Sequence, residues 1–311
     1  MPNTPWGQLR VNDAHVHFFS HSFYSGLARQ RQLENAEALG PLLEWDIPPA
    51  DPASLAARWV RELDSNHIGR ACLIASSPGD EASVALAVSL HPERFFGYFM
   101  LDPLQPDARE RMEQAAANPH LHCACLFPAM HRYSITDPRV APVLEIAAAH
   151  RMPVFVHCGA LSVGVRNKLG LGSAFDLRMS NPLDLHPVAQ CFPQVRFVVP
   201  HFGAGLFREA LMLADLCPNV WLDTSSTNRW MRYDGLDLRT VFARSLDVAG
   251  AGRLLFGTDS SFFPRGWHGE ILDQQATALY ELGLKAGDAQ QILAGNLEQL
   301  LAARGPGELK L

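Results

Sequence analysis

Eight short runs of apolar and β-branched residues alternate along this chain with longer amphipathic stretches, and no other feature restricts its possible folds so strongly. The runs fall at 11–18, 70–75, 95–101, 121–127, 153–158, 195–200, 219–224 and 253–258. A strand followed by a helix, repeated, calls for a parallel sheet, because parallel neighbours need a crossover between them. Eight units predict closure into a (β/α)8 TIM barrel. An open doubly wound sheet is the competing α/β arrangement, but no GxGxxG turn follows the first run, as a dinucleotide-binding sheet would want. The expectation is therefore one barrel domain over residues 1–311, without linkers or internal repeats, whose functional residues lie at the C-terminal ends of the strands. Two long connections, 19–52 and 159–181, follow the first and fifth runs and would overhang that face.

Composition matters here for what it excludes. Hydrophobic residues make up 48% and charged residues 19% of the 311 positions, enough for a sizeable core. With 26 Lys and Arg against 32 Asp and Glu, the formal charge is −6 and no basic run occurs, which argues against a nucleic-acid partner. The N-terminal MPNTPWGQLR lacks an apolar stretch of signal-peptide length, and no segment approaches the roughly 18 apolar residues of a membrane span. A cytoplasmic protein is expected. The six cysteines have no CxxC framework and fit reduced, buried thiols; Cys158, beside His157, is the one with a conceivable catalytic place.

The first run reads VNDAHVHFF. His15 and His17 stand two apart, so their imidazoles leave the same side of a strand, about 6.5 Å apart along it, and can converge on one cation. Later runs end on comparable groups: PVFVHCG on His157, VRFVVPHFGAG on His201 and RLLFGTDSSF on Asp259. Strands one, five, six and eight thus bring three histidine sites and a carboxylate to one end of the barrel. Individually, His201 could be a buried histidine bonded to backbone and Asp259 a cap for the following segment. Asp13, two before His15, is placed to orient the strand or a ligand histidine.

His15-x-His17, His157, His201 in PHFGAG and Asp259 in GTDSSF resemble the amidohydrolase superfamily, in particular its amidohydrolase-related branch, which includes aminocarboxymuconate-semialdehyde decarboxylase and related nonoxidative decarboxylases. RFFGYFMLDP, NPLDLHPVAQCFPQVRFVVPHFG and ILAGNLEQLL extend the resemblance over nearly the whole chain. Many superfamily members bridge two metals with a carboxylated lysine at the end of strand four. This chain has LHCACLFP there, with Cys125 near the place of that lysine, so the resemblance implies a single divalent ion, zinc being the expected one. It implies that His15, His17, His157 and Asp259 hold the ion, and that His201 stays off it to orient or deprotonate a water. Asp259 would shuttle the proton to the leaving group. Homo-oligomeric assembly, with residues 19–52 covering a neighbour, is a further expectation by resemblance.

Such a site serves two reactions. Water attack on a carbonyl hydrolyses a lactone, amide or related bond, the leading expectation; protonation of an unsaturated or aromatic carbon bearing a carboxylate releases carbon dioxide, the alternative. A noncatalytic barrel that binds a small molecule is the third, disfavoured because every ligand and acid/base position is filled. Either reaction suits an anionic or cyclic substrate. Arg265, just past Asp259, is the leading group to grip its carboxylate, with Arg229 after strand seven a weaker one and Arg166, Lys168 and Arg178 weaker still. Phe262 and Trp267, with Phe18, Phe19, Phe23, Tyr24, Trp230 and Phe263, predict an aromatic mouth.

Overall fold

Each apolar run is a strand in a computed structural model, which describes residues 1–172, 175–225 and 229–302. The strands are β1 (Asn12–Phe18), β2 (Arg70–Ala75), β3 (Phe95–Leu101), β4 (Leu121–Leu126), β5 (Val154–Val156), β6 (Phe197–Val199), β7 (Val220–Asp223) and β8 (Leu254–Leu255). They form one parallel sheet in sequence order. Three, β5, β6 and β8, are at most half the length of their runs. Pro153 and Pro200 flank β5 and β6 and donate no ladder hydrogen bond. Beyond Leu255 the chain changes partner and runs along β1, where Ala14 N donates to Phe256 O (2.8 Å), Asp259 N to His15 O (3.0 Å) and His17 N to Ser260 O (2.7 Å). These bonds close a (β/α)8 barrel.

The outer helices follow from one-sided patterning. In α1 (Pro52–Ser65), Leu55, Ala56, Trp59 and Leu63 are buried on one stripe, Pro52 fills the first position and the Asp51 carboxylate caps the helix by accepting from Ala53 N. Burying Leu55 and Leu63 contributes about 2 kcal/mol each. Inside the barrel, inward residues such as Cys72, Tyr98, Cys125, Phe155 and Trp221 pack with Leu297 and Leu300 of the helix Asn296–Ala302. Asn12 Nδ2 donates to Glu298 Oε1 (2.9 Å) and Arg196 Nη1 to Leu300 O (3.1 Å), so that helix plugs the N-terminal end.

The two long connections fold together as a roof at the other end. Phe23, Leu27, Leu39 and Leu43 from the first share an apolar cluster with Val165 and Leu169 from the second, separate from the barrel core. The region expected to cover a neighbouring subunit thus packs on its own chain. Among the described residues, no helix is long and apolar enough to cross a membrane.

Candidate metal centre

Strand alternation sends His15 and His17 to the same side, and their Nε2 atoms lie 3.4 Å apart. Asp259 reaches them from the other side of the seam. Its φ of 58° is left-handed, a conformation Asp tolerates better than most residues, and it follows Gly257 and Thr258. Its Oδ1 lies 3.2 Å from His17 Nε2 and 3.7 Å from His15 Nε2. Among the described residues, only these three bring histidine, cysteine or carboxylate donor atoms within 4.8 Å of one another as a group.

The hydrogen bonds behind the rings decide which nitrogens face this space. His15 Nδ1 lies 2.7 Å from Oδ2 of the buried Asp223, an acceptor when ionised, so Nδ1 carries the proton. His17 Nδ1 lies 2.8 Å from Ser76 Oγ, whose own hydrogen goes to Ile74 O (3.1 Å); His17 Nδ1 is again the donor. Two Nε2 lone pairs and a carboxylate oxygen therefore converge with no hydrogen among them. Such a set repels itself unless a cation joins it. Four ligands about 2.1 Å from a tetrahedral ion stand about 3.4 Å from one another, the spacing seen here, so the residues fit a zinc-like ion.

Electrostatics agree. Burial by itself would lower the His15 pKa, but the Asp223 charge and hydrogen bond, helped by Asp259 and Asp13, raise it. Burial would raise the Asp259 carboxyl, yet the neighbouring imidazoles of His17, His15 and His201 hold it well below the usual carboxylate range. Asp223 is lowered in the same way, burial being outweighed by His15. The pocket attracts positive charge.

His201 and His157 complete the cluster. His201 opens a left-handed run, with φ of 55° at His201, 52° at Phe202, 84° at Gly203 and 43° at Ala204. This run is packed so tightly that a Cβ on Gly159 would stand 2.0 Å from Gly203 O, so position 159 demands glycine. His201 Nδ1 donates to Ser225 O (2.6 Å), leaving the Nε2 lone pair free, and its ring lies 5.0 Å from that of His15. Burial, then the neighbouring His15, lowers its pKa and favours the neutral ring. His157, 4% exposed, stacks on Phe127 at 5.4 Å with its ring 5.3 Å from that of His201. Burial pushes it well below the ordinary histidine range, with His201 and His15 adding to the shift. Its Nδ1 is buried without a hydrogen-bond partner, an omission that costs about 1–3 kcal/mol if nothing binds there. His157 is thus in the cluster but outside the close donor set.

Asp13 fixes the seam on which the donors sit. Its Oδ1 accepts from His15 N (2.9 Å) and Thr258 N (3.1 Å); its Oδ2 accepts from Thr258 Oγ1 and from Trp267 Nε1 (2.7 Å). Burial still pushes this carboxyl up to about 6. Trp267, expected at the mouth, is 6% exposed and its polar atom is spent on Asp13, so it braces the site from behind. Phe262 does lie near the entrance, stacked on Trp45 at 3.7 Å and 9°. The Arg265 guanidinium sits over the Phe262 ring at 4.5 Å, with Nη2 donating to Asp259 O (3.2 Å) and Ser261 Oγ (3.1 Å). Arg229 is exposed on the turn Arg229–Tyr233; residues 226–228, between it and β7, lie outside the described residues. Phe18, Tyr24, Trp230 and Phe263 are buried packing.

Burial disfavours a thiolate at both cysteines near the centre. Burial raises Cys125 well above the ordinary thiol range, inside the apolar interior, and pushes Cys158 up to about 12. Four functional neighbours escaped the sequence reading: Ser76, Asp223, Ser225 and Trp45. Asp223 had a signal, since it ends strand seven as Asp259 follows strand eight.

Residues 13–302 match the family model described as amidohydrolase. Protein fluG of Emericella nidulans is 35% identical over 96 residues, covering 30% of this chain and 11% of that protein, so the match spans only a small part of the curated relative. The fold resembles 5-carboxyvanillate decarboxylase of Novosphingobium aromaticivorans, complexed with manganese and 4-hydroxy-3-methoxy-5-nitrobenzoic acid (TM-score 0.63, 15% identity, 96% of this chain and 97% of that one). It also resembles a "probable 2-pyrone-4,6-dicarboxylic acid hydrolase" of Acinetobacter baumannii with citric acid bound (TM-score 0.61, 14% identity, 94% and 100%). A third likeness is an amidohydrolase of Burkholderia multivorans with bound zinc (TM-score 0.62, 15% identity, 94% and 99%). At such identities these structures speak to the fold.

Proposed function

This chain belongs to the amidohydrolase family, and from that premise we propose that it is a metal-dependent hydrolase of a small carbonyl compound such as a lactone or amide. The observation that carries the reading is the convergence of His15 Nε2, His17 Nε2 and Asp259 Oδ1 with every hydrogen turned away. These three residues, with the unpartnered His157, are the ligands we assign to one divalent ion, zinc or manganese. When bound, such an ion supplies Lewis acidity: it polarises a carbonyl and lowers the pKa of water to about 7.

The chain's own residues do the rest. His201, neutral and fixed through Nδ1, offers Nε2 to take a proton from the attacking water. Asp259, ionised beside His17, has no proton of its own and relays the one taken from the water to the leaving group. Arg265, exposed next to Asp259, holds an anionic substrate by its carboxylate. Trp45 and Phe262 screen the centre from bulk water.

The second reading, nonoxidative decarboxylation of an unsaturated or aromatic acid, draws on the same parts. The aromatic entrance and Arg265 favour it, and decarboxylases are among the similar folds. Metal analysis followed by a panel of lactones, amides and unsaturated acids tests both, scoring acid release against carbon dioxide release. Chelator-sensitive acid release supports the hydrolase; carbon dioxide release alone replaces it with the decarboxylase. Full activity in a protein free of metal and indifferent to strong chelators would refute both.

A further inference from the structure

Behind the donor set, the end of β7 touches two histidines at once. Asp223 Oδ2 receives His15 Nδ1–H at 2.7 Å, while Asp223 Oδ1 accepts from Ser225 N at 2.6 Å and so cannot turn. Two residues on, the Ser225 carbonyl receives His201 Nδ1–H at 2.6 Å, and the Ser225 hydroxyl lies 2.8 Å from His15 Nδ1 and 3.2 Å from His201 Nδ1. The residue between is anchored in the opposite direction. Thr224 Oγ1 donates to Gln275 Oε1 (2.7 Å), and Gln275 Nε2 donates back to Thr224 O (2.8 Å). Asp223, Thr224 and Ser225 are all at most 1% exposed. Space for this arrangement is left by Gly257, where a Cβ would stand 2.8 Å from Ser225 Cβ and 2.9 Å from His15 Cβ.

We propose that Asp223-Thr224-Ser225 is a shared positioning element, pinned by Gln275, that holds both His15 and His201 in the Nδ1–H form. One rigid tripeptide then sets the donor atom of a metal ligand and the acceptor atom of the proton-taking histidine together. An imidazole with its far N–H bonded to a carboxylate is a stronger and better-aimed donor, and loss of such a partner weakens metal binding about 10- to 100-fold. The inference rests on the assignment of His15 as a ligand for its metal readout; its tautomer readout needs no metal.

The test uses the full-length protein with ring-15N histidine, free of metal in mildly alkaline buffer, then titrated with zinc against a chromophoric chelator. His15 and His201 are expected as Nδ1–H tautomers. Asp223→Asn is expected to weaken zinc binding about 10- to 100-fold with an unchanged fold by circular dichroism. Gln275→Ala, which touches neither histidine, is expected to shift both ring spectra together. An Nε2–H tautomer on either histidine in the wild-type protein overturns the proposal even if the variants do not fold. So does wild-type zinc affinity in Asp223→Asn, or a Gln275→Ala spectrum in which only one histidine moves. If His17→Ala abolishes zinc binding while Asp223→Asn leaves it intact, this inference fails alone. If the wild-type protein takes up neither zinc nor manganese, the metal assignment fails, and the tautomer spectra still decide the positioning claim.

Discussion

The strand-end cluster and the roof above it are held by different forces. At the cluster nearly every polar atom has a fixed, directional partner: Asp13 takes four donors, and Asp223, Ser225 and Ser76 fix the far nitrogens of three imidazoles. The roof is held mostly by ring stacking and aliphatic contact, with Phe19 on Phe23 at 4.1 Å and Trp45 on Phe262 at 3.7 Å. Hydrogen bonds define angles sharply, whereas stacked rings slide at little cost. Chemistry that needs donor atoms placed within tenths of an ångström therefore belongs on the strands, and the choice of what enters belongs to the loops.

That contrast can be broken at either end. The largest effect is expected from Asp259→Asn or from metal removal, which should cost several kcal/mol of transition-state stabilisation, about a thousandfold in kcat/KM once a substrate is found. Residual activity within tenfold of wild type would remove the cluster from the chemistry. Next comes Asp13→Asn: an amide offers one acceptor oxygen where the carboxylate serves four donors, so about 3 kcal/mol of stability should be lost in chemical denaturation, with zinc affinity falling alongside. Trp45→Ala, on the roof, should lower stability by only about 1.5 kcal/mol and raise KM more than it lowers kcat. An equal loss in kcat would mean that the roof shares in the chemistry. Arg265→Ala should cost about tenfold in kcat/KM for acidic substrates and nothing for neutral ones. The smallest effect is expected at Cys191, the exposed cysteine among the six: it should take one equivalent of alkylating reagent without loss of activity, while the buried thiols react only on unfolding.

The strands, their order and the closed barrel were legible in the sequence because each run carries its own periodicity. His15 and His17 were legible for the same reason, two residues on one strand face, and Asp259 followed from its place after the eighth run. Their supports were harder to read. Asp223 meets His15 across 208 positions and Ser76 meets His17 across 59, pairings that depend on how strand ends are staggered around the barrel. Trp267 was expected at the mouth, but its N–H points to Asp13, an orientation set by the turn after β8. Trp45 lies in the middle of a long connection whose path is fixed only when it folds against the second one.

The seam between β1 and β8 joins segments far apart along the chain, Asp13 and Thr258 being 245 positions apart. During synthesis at about 5–20 residues per second, His15 and His17 would emerge roughly 10–50 s before Asp259. For that interval the nascent chain presents two imidazoles but no third donor and no closed seam. The complete donor set is thus withheld until residue 259 has been made, and any truncation upstream of it yields a product that cannot assemble the centre at all.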